Sequence, residues 1–190
     1  MEFRDLKTQY KNLKAEIDER VLSVMERAQF ISGPEVKELE QKLAEYVGVK
    51  HCITCANGTD ALELVLLAWG IGKGDAVFVP TFSFMSTAEV VASVGAFPLF
   101  VDIDPDTFNI DPKKLEQAII QAQNEGKYNL RAIIPVDLFG MPADYEAIAA
   151  IAKRYGLKVL EDGAQGFGGA INGKRACSFG DAATTSFFPA

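Results

Sequence analysis

Residues 75–101 read DAVFVPTFSFMSTAEVVASVGAFPLFV, and this stretch decides the fold. Two short apolar runs, 75–79 and 97–101, flank a segment near 84–94 whose apolar residues recur at helical spacing. A strand, a helix and a second strand in this order need a crossover connection, which sets the two strands parallel. The same alternation extends in both directions. Strands are predicted over 51–55, 131–136 and 157–161, with helices near 59–69, 112–124 and 143–155. The predicted fold class is therefore α/β, a mostly parallel sheet with helices on both faces. In open sheets of this kind ligands bind beyond the carboxyl ends of the strands, so the residues just after each strand are where chemistry is expected.

Upstream, Phe3, Leu6, Tyr10, Leu13, Ile17 and Val21 recur every three to four residues and predict an amphipathic N-terminal helix. Pro34, after Gly33, opens a second helix carrying Val36, Leu39, Leu43, Tyr46 and Val47, which Gly48 closes. Residues 1–33 are read as an N-terminal helical segment and 34–190 as a ligand-binding domain. No internal repeat, low-complexity tract or linker interrupts the chain. The last stretch, DAATTSFFPA, has no closing helix over its apolar residues, so the fold is expected to continue past Ala190.

Composition narrows the function classes. With 48% hydrophobic and 24% charged residues among 190, the chain can bury a core and is neither disordered nor fibrous. A net charge of −7 without clustered Lys or Arg argues against a nucleic-acid partner. The start lacks the apolar stretch of a signal peptide, and nowhere do about 18 apolar residues run together, so no membrane span and a cytoplasmic location are expected. Cys52, Cys55 and Cys177 are too few for a disulfide framework. Cys52 and Cys55 form a C-x-x-C, but the single histidine, His51, lies in the same segment and cannot add a second ligand pair for zinc. They are read as strand cysteines.

The residues after the strands carry the candidate chemistry. Ala56-Asn57-Gly58-Thr59-Asp60-Ala61-Leu62 is a turn feeding a helix whose first N–H groups have no partner within the helix. Such a terminus accepts an anion: Gly58 lets it approach the backbone and the Thr59 hydroxyl adds a donor. A plain helix cap fits the same residues. Neither G-x-G-x-x-G nor G-x-x-x-x-G-K-[ST] occurs, which weakens dinucleotide and P-loop readings. Phe84 could stack on a planar heterocycle or belong to the core. Asp162 arrives at the end of a strand, where a carboxylate can pair with a protonated ring nitrogen, bind a metal or cap a helix. Asp102, Asp104 and Asp106 surround Pro105 and are read as shaping a turn rather than holding a metal. Ser186 could donate to the same anion as Thr59 or serve a turn.

Taken together, GTDAL, PTFSFMSTAE, EDGAQGFG and TSFFPA occur in the order and spacing of the DegT/DnrJ/EryC1/StrS family of pyridoxal-phosphate (PLP) sugar aminotransferases. DLKTQY, SGPEVKELE, VDIDPDTFNIDP and PVDLFGMPAD extend the resemblance over essentially the whole chain. The resemblance implies the large domain of the aspartate-aminotransferase type, with a mostly parallel seven-stranded sheet and a small C-terminal domain beyond Ala190. It implies pyridoxal 5′-phosphate as cofactor, with Gly58, Thr59 and Ser186 on the phosphate and Phe84 stacked on the ring. Asp162 would bind the ring nitrogen as the catalytic carboxylate, and Gln165 would lie near the ring hydroxyl. The family's Schiff-base lysine is expected directly after Ala190.

The implied reaction takes an amino group from glutamate, leaving 2-oxoglutarate, to a keto carbon (C3 or C4) of a nucleotide-linked sugar of the UDP-N-acetyl kind. A homodimer with the site at its subunit interface is implied too. The alternatives are a sugar dehydratase of the same family and a non-enzymatic PLP-binding sensor without the lysine. Four positions depart from the family pattern. Gly163 and Gly166 stand where Ala and Ser are expected and are read as loosening the turn; Asp137 and Phe139 lie in a segment that often reads H-L-Y-G.

Overall fold

The structure, a computed structural model, describes residues 5–188. Phe3 of the predicted N-terminal stripe, and Pro189 and Ala190, lie outside the described residues. The chain divides into two compact units. One holds the N-terminal stretch through Tyr46, Lys50–Thr54 and the residues from Phe187; the other holds Val47–Val49 and Cys55–Ser186.

In the first unit, α1 (Leu6–Arg27) starts at Asp5, whose carboxylate accepts the Thr8 N–H at 2.9 Å and so satisfies one of the free amides of the first turn. The predicted apolar stripe is present on α1, but none of its residues is buried. Helix α2 (Pro34–Val47) opens on a proline, whose missing N–H costs nothing in the first turn, and is followed by Gly48 at φ 85°. The strand predicted over 51–55 does not form. A strand needs a neighbour to take its backbone groups, and here the Glu40 carboxylate accepts both the N–H and the hydroxyl of Thr54, at 2.8 and 2.9 Å. Ile53 is left 84% exposed, so apolar character alone did not recruit it to a sheet.

The second unit runs α3 (Gly58–Ala68), β1 (Asp75–Pro80), α4 (Ser86–Ser93), β2 (Phe97–Val101), α5 (Pro112–Glu125), β3 (Asn129–Ile133), α6 (Tyr145–Tyr155), β4 (Lys158–Asp162), β5 (Ala170–Ile171), β6 (Lys174–Arg175) and β7 (Ala182–Thr184). Its main sheet has the order β2-β1-β3-β4-β7, and every pairing in it is parallel. The main sheet therefore has five strands among the described residues, against the seven of the implied fold; β5 and β6 form a separate antiparallel pair.

Side chains of successive strand residues point to opposite faces, and the core divides accordingly. Phe78, Ile133 and Val159 pack with Leu115 and Ile119 of α5 and Ile148 of α6. Val77, Val79, Ala132, Ile134 and Leu160 pack on the other side with Leu62 and Leu66 of α3 and Val90 and Val91 of α4. Every residue of β1 is buried, as a central strand covered on both faces requires. Strand β3 ends just before Pro135, which has no N–H to offer the ladder. The segments carrying chemistry follow from this arrangement, because α3, α4, β4 and β7 all present an end at the carboxyl edge of the sheet.

Candidate active site

Asp162 is the last residue of β4 and is 5% exposed. Alternation along β4 puts it on the same side as Leu160, facing α3 and α4. From the first turn of α4, the Thr87 hydroxyl donates to Asp162 Oδ2 at 2.9 Å, and the Ala164 N–H reaches Oδ1 at 3.3 Å. Burial holds the Asp162 carboxyl above the usual carboxylate range, against the pull of Thr87 and Ala164. A buried carboxylate with one hydroxyl and one long N–H is short of donors. A protonated ring nitrogen alongside it would supply the missing charge-assisted bond, so the site fits a pyridinium group.

Neighbouring residues of α4 connect this acid to the candidate anion cup. Ser86, next to Thr87, lies 2.8 Å by its Oγ from Thr59 Oγ1 at the start of α3. Asn57 caps α3 by accepting the Asp60 N–H at 2.9 Å, so the cap and the cup use different residues of the same turn. Ser186 closes the cup from the other side. A Cβ on Gly58 would stand 3.0 Å from the Ser186 Cβ, so the approach of the two chains depends on the missing side chain. Thr59, Ser186 and the first amides of α3 thus lie at one turn, where they could hold a phosphate group.

Phe84 sits in the loop after β1 and is 72% exposed, which removes the core alternative for it. Phe82, Phe108 and Phe139 form an exposed aromatic rim, their ring centroids 5.9, 6.4 and 6.1 Å apart in pairs. Phe108 and Phe139 have positive φ, 62° and 55°, a costly backbone for aromatic residues. Asn109 explains why this geometry holds: its buried amide accepts the Leu138 N–H at 3.1 Å and donates to Met141 O at 2.9 Å, tying the loop on both sides of Phe139. Gln165 Oε1 accepts the Phe139 N–H at 2.8 Å, which anchors Gln165 to the same loop. Asp104 accepts from Asp106 and Thr107 amides and shapes its own turn. Among the described residues, no group of three or more His, Cys, Asp and Glu is placed to hold a metal.

The turn after Asp162 is not loosened by its glycines, contrary to the expectation from sequence. A Cβ at Gly166 would lie 2.4 Å from the Asp137 Cβ, and one at Gly163 would lie 2.6 Å from the Cys177 Sγ. Both glycines are imposed by close packing. Sequence reasoning also passed over Ser86 and Thr87, although they stood in plain view at a strand-to-helix turn, and over the buried acids Asp137 and Glu161.

A model of the DegT/DnrJ/EryC1/StrS aminotransferase family matches residues 11–190. The chain belongs to this family. It is 51% identical over 189 residues to the UDP-2-acetamido-2-deoxy-3-oxo-D-glucuronate aminotransferase of Pseudomonas aeruginosa, covering 100% of this chain and 51% of that relative. The crystal structure of a DegT DnrJ EryC1 StrS aminotransferase from Brucella abortus superposes with a TM-score of 0.98 at 50% identity, over 100% of this chain and 51% of that one. NtdA of Bacillus subtilis, solved with bound cofactor PMP, matches with a TM-score of 0.78 at 38% identity, over 87% of this chain and 37% of that one. The chain spans about half the length of the curated relatives it matches.

Proposed function

We propose that this chain holds pyridoxal 5′-phosphate in a cytoplasmic, homodimeric transaminase that moves an amino group from glutamate to a keto carbon of a nucleotide-linked sugar. The observation that carries the reading is Asp162: a buried carboxylate at a strand end, short of donors, whose hydroxyl donor Thr87 adjoins Ser86, which contacts Thr59 at the start of α3. The PMP-bound relative supports the cofactor, and the relative named for a UDP-linked 3-oxo sugar supports a UDP-N-acetyl sugar aminated at C3.

Gly58, Thr59, Ser186 and the amides of α3 bind the phosphate and fix one end of the cofactor. Phe84 covers the ring face and excludes water from it. Asp162 keeps the ring nitrogen protonated, and Thr87 holds the Asp162 carboxylate in place. Gln165, anchored through Phe139, orients the ring hydroxyl. Bound here, the cofactor would supply the electron-accepting ring that transfer of an amino group requires.

Asp162→Asn in the full-length gene product tests the assignment. If Asp162 pairs with a protonated ring nitrogen, losing the charge-assisted part of the bond costs about 1.5–3 kcal/mol, roughly 10- to 150-fold in transamination rate, while the protein still folds. Asn and Asp cap helices almost equally well, so a variant within about twofold of wild type with cofactor bound normally would reduce Asp162 to a turn residue.

A further inference from the structure

Behind Asp162, on the opposite face of β4, two carboxyl groups are buried near Cys177. Asp137 and Glu161 are both 0% exposed. Glu161 is well supplied with donors: the Cys177 N–H goes to Oε1, and the Phe179 and Gly180 N–H groups reach Oε2 at 2.7 and 3.4 Å. Asp137 is supplied on one side only. Its Oδ1 accepts the Tyr145 hydroxyl at 2.7 Å and the Ala143 N–H at 3.2 Å, while Oδ2 is buried with no donor directed at it. Cys177 brings the two together: its N–H donates to Glu161, and a Cβ on Gly163 would stand 2.6 Å from its Sγ and 3.8 Å from Asp137 Oδ2. A buried acceptor left without a donor is costly, and two ionised carboxylates in contact are costlier still. One proton on Asp137 Oδ2, donated to Glu161, removes both costs.

The backbone of Asp137 ties this pair to the proposed active site. Its N–H donates to the Asp162 carbonyl at 3.0 Å, and the Asp162 N–H donates to Pro135 O at 2.9 Å, so the peptides on both sides of Asp162 are clamped by the segment that carries Asp137. We propose that Asp137 is a positioning residue: it shares a proton with Glu161, and this neutral contact holds the clamp that fixes Asp162. The inference rests on the reading of Asp162 as the cofactor's partner.

Burial pushes the Asp137 carboxyl up to about 7; the Tyr145 hydroxyl pulls it down and the Glu161 charge pushes it further up. Burial raises Glu161 as well, against its backbone donors. The titratable groups that surround the pair are Tyr145 from α6, Cys177 from the loop after β6, and Asp162 from β4 itself; burial raises all three. A carboxyl whose folded pKa is raised binds more protons folded than unfolded. Its stabilising effect is complete below 3.8, declines as pH rises and is gone above about 7.

The test uses the full-length product in wild-type form and as Asp137→Asn and Glu161→Gln, with two readouts against pH. The first is the melting temperature of cofactor-free protein; the second is the rate at which bound PLP dissociates. An Asn amide can donate to Glu161 where the proton now does, so Asp137→Asn should fold, and its melting temperature should gain on wild type as pH rises from 3.8 to about 7. Glu161→Gln should melt lower at every pH, because its amide would face backbone donors. Dissociation of PLP from wild type should quicken several-fold as pH passes through about 7, with no such rise in Asp137→Asn. Equal pH dependence of melting in wild type and Asp137→Asn would show that no proton is shared. A changed melting profile with identical dissociation profiles would leave the pair structural and overturn its positioning role. Wild-type protein that takes up no PLP at any pH contradicts the functional reading itself, and the melting comparison then still decides whether the proton is shared.

Discussion

At position 166 a Cβ would stand 2.5 Å from Asp137 Oδ2, so the glycine there and the acid at 137 are two halves of one packing solution. Gly166→Ser, which restores the residue of the family pattern, should therefore destabilise this chain. Overpacking of this kind costs about 1–3 kcal/mol, readable as a lower urea midpoint for the full-length product. No loss in the single variant would mean that the turn has slack. Asp162 was legible in the sequence as a carboxylate at the end of an apolar strand, and the structure has it there, buried at the end of β4. Thr87 was not legible as its partner, since 75 residues separate them and only the packing of α4 on the sheet brings them together. The Asp137 and Glu161 pair was hidden for the same reason, with α6 and the loop after β6 supplying the donors that set its balance.

Among the elements, the helices were the easiest to read. Asp111 before Pro112, Asp144 before Tyr145 and Gly126 and Gly156 after α5 and α6 all cap the helices that periodicity predicts. The strands within the alternation, β1, β2, β3 and β4, formed within two or three residues of expectation. The run at 51–55 misled because apolar content says nothing about whether a partner strand exists. Strand β7 and the β5–β6 pair were missed because two or three residues are too short to show a period. Helix α1 carries its own prediction. Leu6, Tyr10, Leu13, Ile17 and Val21 make a continuous stripe, each between 37% and 55% exposed, where scattered single residues would be ordinary. Replacing Leu13 and Ile17 by Gln should shift the full-length product from dimer towards monomer in sedimentation; an active monomer in the wild type would contradict the proposed dimer.

Over the whole molecule, one physical rule links the sequence to the site: a parallel sheet covered on both faces leaves its carboxyl edge as the place where ends of helices and strands converge. The family match over residues 11–190 and the superposition on the Brucella abortus structure put the family and the fold on firm ground. What the protein does with the site is best decided by following a nitrogen atom. The full-length product, loaded with PLP, is given glutamate carrying an isotopically labelled amino group together with a UDP-linked 3-keto N-acetyl sugar, and the sugar is analysed by mass spectrometry. The account expects the labelled nitrogen on the former keto carbon, with one 2-oxoglutarate formed for each sugar aminated. A sugar that loses water without gaining nitrogen, or one returned unchanged by protein that has bound PLP and been offered the matching UDP- and dTDP-linked ketones, would contradict it.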